Sequence, residues 1–197
     1  MSAPQSPYFS QRHGKGTFTS PAGEFYEGGW FNDQKDGRGV FISSGKDRYE
    51  GDFLRGLKHG RGKMVFCSAA TYEGQWEHDL MHGKGVMIEA NREKYDGFFV
   101  MNQRDGQGVW TSPNGAMYEG LWKAGRREGL GKQKYSDGSV YEGMFSNDKV
   151  SDPSSFCPNF FSDPFYHSAT ERAPGRVWEI TTTRATGLMT RRRARAP

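Results

Sequence analysis

The chain has 197 residues, 27 glycines and a formal net charge of +4, and 14% of its residues are aromatic. Glycine is therefore about twice as frequent as the roughly 7% of an average protein. This composition excludes collagen, which needs glycine at every third position and more proline, and a flexible Gly/Ser linker, which carries few rings.

Residues 1–12 are predicted to form an N-terminal extension that precedes the patterned part of the chain. The extension lacks the charged start and apolar core of a secretory signal, and the sequence has no run of about 20 apolar residues to span a bilayer. Cys67 and Cys157 are too far apart to indicate a disulfide framework or a zinc cluster. We therefore expect a soluble, intracellular protein.

A repeat with a step of 23 residues fills residues 13–149. Each repeat begins with Tyr-acid-Gly, places a large aromatic residue two positions later, and continues with a Gly-x-Gly pair. The Tyr, Gly and aromatic positions are Tyr26, Gly28 and Trp30; Tyr49, Gly51 and Phe53; Tyr72, Gly74 and Trp76; Tyr95, Gly97 and Phe99; Tyr118, Gly120 and Trp122; and Tyr141, Gly143 and Phe145. The Gly-x-Gly pairs that follow are Gly37 and Gly39, Gly60 and Gly62, Gly83 and Gly85, Gly106 and Gly108, and Gly129 and Gly131. Because two independent columns keep one step without insertion, chance does not explain them.

Within one repeat the pattern predicts a β-hairpin. Tyr26, Gly28 and Trp30 share one parity, which is the alternation of a half-buried strand. The polar segment 32–36 is predicted to form the turn, after which an extended pattern resumes. Turn residues such as those of segment 113–115 link one hairpin to the next.

The glycines and the rings are expected to be structural partners, because a ring that lies flat over a neighbouring strand needs a position without a Cβ beneath it. Each buried aromatic side chain contributes at most about 4–6 kcal/mol at about 25 cal/mol/Å². The sequence therefore predicts an all-β fold, an elongated twisted antiparallel sheet of stacked β-hairpins. Twelve or so strands at about 4.8 Å spacing would make it about 55 Å long.

The motifs YEGxW, GxGxΦ and DGxxYEG resemble the MORN repeat (membrane occupation and recognition nexus). The resemblance covers a half repeat before Tyr26, five full repeats, and a sixth, from Tyr141 to Lys149, that stops before its Gly-x-Gly. It implies a rod, scaffold or dimerisation module without catalytic activity of its own. Similar repeats occur in axonemal radial-spoke proteins, in junctional proteins that join membranes, and beside lipid-kinase domains.

Some positions depart from this pattern. Ser44-Gly45, Ala69-Ala70 and Asn91-Arg92 stand where other repeats have Asp-Gly between hairpins, and Gln133 replaces a ring in the fifth repeat. These substitutions are expected to loosen turns or one core layer without changing the fold.

The histidines do not indicate a metal site. His13, His59 and His82 occur once per hairpin, which places them about 10 Å apart, whereas the ligands of one ion lie near 2 Å from it. His78 and His82 have HxxxH spacing, but the glycines that follow break a helix there. The sequence also lacks a phosphate-binding loop and an activated-nucleophile set, so we predict no catalytic residue, no cofactor and no metal.

Residues 150–197 are predicted to be a disordered tail. Seven of the 27 basic residues lie from residue 151 onward, and four of them form a terminal cluster. This cluster is a solvated terminus, a nuclear localisation signal, or a contact for an anionic partner, and consists of Arg191, Arg192, Arg193 and Arg195. The aromatic residues of segment 156–166 are expected either to fold over the sheet edge near Tyr141 or to bind a partner. The early end of the sixth repeat also suits an alternative C-terminus of a longer protein.

The first functional hypothesis is a non-enzymatic scaffold for protein–protein interaction or assembly, cytoplasmic and, by family analogy, in a ciliary or flagellar axoneme or the cytoskeleton. The alternative is a peripheral membrane adaptor that binds anionic phospholipids such as phosphoinositides, although the near-neutral balance of residues 1–150 argues against such a contact on the sheet. A third reading is the regulatory piece of an enzyme in a longer isoform. The expected partners are other proteins, with a homodimer and an anionic membrane surface as alternatives, and nucleic acid is not expected.

Overall fold

A computed structural model describes residues 11–151, together with the backbone of residues 172–173 and 176–177. Every regular element in this part of the chain is a β-strand, and neighbouring strands are antiparallel, which confirms the predicted all-β fold of hairpin repeats. The chain divides into two units, Met1–Ala90 and Asn91–Pro197, called here the N-terminal and the C-terminal unit.

The N-terminal unit contains seven strands that pair in chain order. They are β1 (Gly14–Thr19), β2 (Phe25–Phe31), β3 (Gln34–Ile42), β4 (Arg48–Leu54), β5 (Leu57–Val65), β6 (Thr71–Glu77) and β7 (Leu80–Ile88). The hairpin turn between β2 and β3 is shorter than the sequence predicted, because it uses only Asn32 and Asp33. Both residues have a positive φ, 48° and 64°, so the chain reverses within two residues and the strand resumes at Gln34.

The C-terminal unit repeats the same hairpins. Its strands are β8 (Lys94–Val100), β9 (Gln103–Thr111), β10 (Met117–Lys123), β11 (Arg126–Lys134), β12 (Val140–Ser146), β13 (Lys149–Val150), β14 (Arg172–Ala173) and β15 (Arg176–Val177). The short strand β13 pairs with the end of β12, β14 pairs with β12 at Val140, and β15 pairs with β14. Apart from residues 150–151 and these last two strands, the predicted tail lies outside the described residues.

The tyrosines lie flat on glycines of the next strand. In the second hairpin, Gly51 and Gly62 face each other across β4 and β5, and a Cβ on Gly62 would lie 2.5 Å from Cε2 and Cζ of Tyr49. A Cβ on Gly51 would meet the Gly62 Cα at 2.5 Å. Alanine therefore does not fit at either position, and the same contact recurs in the other hairpins of both units.

Each of these tyrosines is buried with its hydroxyl satisfied. Tyr49 donates its hydroxyl proton to the carbonyl oxygen of Asp52 at 2.9 Å, and the other five tyrosines make the same bond to the residue three positions later. The rings pack edge to face against the second aromatic column, with Tyr49 5.1 Å from Phe53 and 5.3 Å from Trp76 between centroids. The core of each unit is thus a lattice of rings on one face of its strands, called here the aromatic face.

The first glycine of each Gly-x-Gly pair has a different role. Gly37 has a φ of +73°, and the β2–β3 register shifts between Gly28 and Trp30, opposite this point. The left-handed conformation is accessible to glycine without strain, so the first glycine permits the bulge while the second leaves room for the ring.

Two expectations about the departures from the repeat are corrected. The inter-hairpin residue with positive φ is Lys46, not Gly45, and Ala69 and Arg92 take the same conformation with φ of 69° and 67°. These turns keep their geometry, since the Ala69 N–H donates to the Phe66 carbonyl at 2.9 Å. Gln133 does not loosen its layer, because it is 3% exposed and both ends of its amide are bonded.

Candidate functional site

A column of long cationic side chains crosses the aromatic face of each unit. It follows the same 23-residue step as the rings and consists of Arg12, Lys35 and Lys58 in the N-terminal unit and Arg104 and Arg127 in the C-terminal unit. Met81 occupies the equivalent position in the last repeat of the N-terminal unit. This column is hidden in the sequence because the polar segment 32–36 predicts a turn, whereas Lys35 lies on β3.

These cations lie over the rings. The Arg12 guanidinium is 3.9 Å from the Trp30 ring centroid, the Lys35 ammonium is 3.6 Å from that of Phe41, and the Lys58 ammonium is 5.0 Å from that of Trp76. Such cation–π contacts contribute about 0.5–2 kcal/mol each, with the larger values where water is excluded. The aromatic face therefore presents positive charge held against rings rather than a plain apolar surface.

Carboxylates balance three of the cations from a fixed register, 21 residues further along the chain. The distance from the aspartate Oδ1 is 3.0 Å for Asp33 to Arg12 Nε, 3.8 Å for Asp79 to Lys58 Nζ, and 3.2 Å for Asp148 to Arg127 Nε. Hydrogen bonds from the Arg12 backbone and side chain hold the pKa of the Asp33 carboxyl below its usual range. The residue at this position after Lys35 is Gly56, and after Arg104 it is Gly125.

Lys35 consequently has a different environment from its neighbours in the column. The structure gives it no ion pair with any of the described residues, and its ammonium group is half-buried among the rings of Phe41, Tyr26 and Phe53. Burial lowers the pKa of Lys35, and the nearby Lys58 acts in the same direction. Glu24 and Asp79 oppose that effect from beyond ion-pair distance.

The opposite face differs between the two units at equivalent positions. In the N-terminal unit, Asp52 and Gln75 accept a hydrogen bond from the backbone N–H of Arg61 and Lys84, at 3.1 and 2.8 Å. In the C-terminal unit Phe98 and Leu121 occupy these positions, 47% and 44% exposed, and their side chains are unable to accept such a bond. Leu130, 43% exposed, extends this apolar row along β11.

The histidines noted in the sequence are not part of the cationic column. His78 and His82 flank the start of β7 and approach the carboxylate of Glu77 at 3.9 and 3.6 Å. Within residues 11–151, no cluster of three or more His, Cys, Asp or Glu side chains is arranged to hold a metal ion. Over the same residues there is no helix long and apolar enough to span a membrane. The arginine cluster at 191–195 lies outside the described residues.

The family model of the MORN repeat matches residues 9–25, 26–48, 49–69, 72–91, 95–117 and 118–140, which is well over half of the chain. The chain belongs to the MORN repeat family. The last matched repeat ends at residue 140, while Tyr141, Gly143 and Phe145 on β12 continue the pattern beyond it. MORN repeats are protein-interaction modules, and membership supports the role of a repeat scaffold.

The comparisons with individual proteins add little to this family assignment. No curated protein matches the chain. One similar solved structure is the SAS-4 (dCPAP) TCP domain of Drosophila melanogaster in complex with a proline-rich motif of Ana2 (dSTIL). It is 12% identical, covers 79% of this MORN chain and 74% of that chain, and has a TM-score of 0.39. A likeness of this size carries no argument about function.

Proposed function

We propose that this chain is a non-enzymatic scaffold that binds segments of other proteins along the aromatic face of its MORN repeats. The observation that carries the proposal is the column of cations over rings. Aromatic residues and arginine are enriched at the centres of protein interfaces, because they bury large areas and offer directed contacts. The cation–π contacts of Lys35 offset only part of the cost of half-burying an ammonium group that has no ion pair among the described residues, so stability alone is a poor reason to keep a lysine there.

The rings also remain accessible to a partner on part of this face. Phe18 on β1 is 40% exposed although it lies opposite Tyr26 and beneath Arg12. Phe41 on β3 is intermediate in exposure, and the Lys35 ammonium lies over its ring. A partner segment laid across β1 to β3 would cover both rings and remove apolar surface from water.

The place of action is proposed on family analogy. Similar repeats in axonemal radial-spoke proteins support a cytoplasmic scaffold in a ciliary or flagellar axoneme or in the cytoskeleton. Proximity labelling in a ciliated cell type tests this, with axonemal and cytoskeletal neighbours as the expected result. A neighbour set dominated by plasma-membrane proteins would instead favour the peripheral membrane adaptor.

A photo-crosslinking experiment tests the proposed face directly. Benzoylphenylalanine replaces Phe41 on the aromatic face in one variant and Phe31, which is 58% exposed on the opposite face, in the other. Expressed in the full chain in cells, the crosslinker at position 41 is expected to capture protein partners in higher yield, although position 31 is more accessible. Equal or greater capture at position 31 would contradict the proposal.

The membrane alternative is tested by co-sedimentation with vesicles that contain phosphatidylinositol 4,5-bisphosphate. Binding that disappears when residues 150–197 are removed would assign lipid contact to this segment, and its loss on changing Arg191, Arg192, Arg193 and Arg195 to alanine would assign it to the arginine cluster. We expect the aromatic face itself to bind such vesicles weakly, since Asp33 and Asp79 already balance two of its cations.

A further inference from the structure

Lys35 lies where the repeat lattice is missing one carboxylate. In the first three repeats, the residue 21 positions after the cationic residue donates its backbone N–H to the carbonyl oxygen of that cationic residue. The bonds run from Asp33 to Arg12 at 3.2 Å, from Gly56 to Lys35 at 2.8 Å and from Asp79 to Lys58 at 3.0 Å. The backbone geometry is therefore the same at all three positions. Only the side chain that would pair with Lys35 is absent.

The space for such a carboxylate is open. A Cβ built on Gly56 meets no atom within 4 Å, and Gly56 has a φ of +87°, in the same left-handed region as Asp33 and Asp79 at 64° and 68°. The rings of Phe41 and Phe53 hold the ammonium from the side, at 3.6 and 5.6 Å from their centroids. A negative group that arrives from outside would meet an ammonium whose position is already fixed.

The surrounding charges fit one carboxylate better than a phosphate. Within this register of the first three repeats, Asp33 pairs with Arg12 and Asp79 pairs with Lys58, whereas Lys35 has no ion pair with any residue that the structure describes. Glu24 and Asp79 act on Lys35 only from beyond ion-pair distance. A phosphate of charge near −2 would be repelled by both flanking carboxylates. An Asp or Glu side chain neutralises the site without excess charge.

We propose that Lys35, with Phe41 and Phe53, binds an acidic side chain of a partner protein segment on the aromatic face of the N-terminal unit. The inference rests on the proposed function and names the chemistry that it requires of the partner. The partner carboxylate takes the place that Asp33 and Asp79 take in the neighbouring repeats, beside Gly56. The acidic residue sets the register of the partner, while the rings on either side supply apolar contact.

Two substitutions test the site with matched controls already present in the chain. Gly56→Asp supplies the missing carboxylate from within the protein and should occupy Lys35, whereas Gly125→Asp makes the same change in the same register of the C-terminal unit. Lys35→Met copies Met81, which the lattice accepts in this column, and Lys84→Met removes an exposed lysine from the opposite face.

The probe is a library of random 12-residue peptides on phage, selected against the full chain and then measured by fluorescence anisotropy. Selected peptides should share an Asp or Glu at one position, and its change to Asn or Gln should weaken binding about tenfold or more, the size of one charge-assisted hydrogen bond. Gly56→Asp and Lys35→Met should weaken binding by a similar factor and abolish the preference for the acid. Gly125→Asp and Lys84→Met should change affinity less than about twofold.

Selected peptides without a shared acid, or equal losses in Gly56→Asp and Gly125→Asp, would overturn the site while leaving the scaffold proposal intact if crosslinking at position 41 still captures partners. If neither peptides nor partners bind, both proposals fail. Binding of phosphatidylinositol 4,5-bisphosphate vesicles that is lost in both Lys35→Met and Gly56→Asp would assign the site to a lipid headgroup and overturn the protein partner.

Discussion

Trp76 is the residue whose removal tests the ring lattice most directly. It is 4% exposed, lies edge to face against Tyr49 and Tyr72 at 5.3 and 5.1 Å, and donates its indole N–H to the Gly62 carbonyl at 3.1 Å. A tryptophan of this kind buries roughly 200–250 Å², worth up to about 6 kcal/mol at about 25 cal/mol/Å². Partial relaxation of the neighbours reduces this, so we expect Trp76→Ala to lower the free energy of unfolding by about 3–5 kcal/mol.

Trp76→Phe separates the ring from the hydrogen bond. Phe53 occupies the same register one repeat earlier, so the lattice accepts a phenyl ring at this position. This variant loses the indole N–H and part of the area, and should cost about 1–2 kcal/mol. Urea unfolding followed by circular dichroism measures the loss of unfolding free energy in both variants. Hydrogen exchange then locates the loss of amide protection within β4 to β7. Trp178→Ala, outside the described residues, is the control and should leave the unfolding curve unchanged.

A loss below about 1 kcal/mol in Trp76→Ala, equal losses in the Phe and Ala variants, or a comparable effect of Trp178→Ala would contradict a core held together by its rings. A small loss would mean that the rings pack against a face that water still reaches. Equal losses would mean that the indole N–H, not the ring, holds the layer together.

Three further predictions concern the turns, the tyrosines and the opposite face. Ala69→Gly should raise the free energy of unfolding by about 1 kcal/mol, because φ is 69° at this position; no gain in the urea midpoint would contradict it. Burial raises the pKa of four core tyrosines to about 12 from an ordinary value of about 10, so their contribution to stability is complete below pH 10 and is lost as pH rises to about 12. The absorbance change at 295 nm from these four tyrosines should therefore accompany the loss of strand signal, and their ionisation near pH 10 while the strand signal persists would disprove the link. Leu121→Gln, which copies Gln75, should keep or raise the urea midpoint by adding the hydrogen bond that Gln75 makes to a backbone N–H; a lowered midpoint would show that Leu121 is packed rather than exposed.

The repeat itself was predictable because its physical causes are local. A tyrosine two residues before a glycine, with a Gly-x-Gly pair on the next strand, leaves one way to pack a ring, and the spacing in the sequence reports it. The two-residue turn was not predictable from polarity, because residues 32–36 are all polar and only φ distinguishes Asn32 and Asp33 from Gln34 onward. Because of that error Lys35 was not recognised as a strand residue. It lies an even number of residues before Gly39 and 23 residues after Arg12, so its place in the column was otherwise predictable from the sequence.

The regular lattice also explains which repeat positions are fixed in this protein and which vary between repeats. Positions such as Tyr49 and Gly62 are fixed by contact, so they repeat and carry no information about a particular partner. The cationic column is only loosely constrained, since the lattice accepts Lys35, Lys58 or Met81 at the same register, with Gly56 21 residues after Lys35 and Asp79 21 residues after Lys58. The proposed recognition therefore depends on these tolerant positions, where a change alters the charge of the aromatic face without altering the packing beneath it.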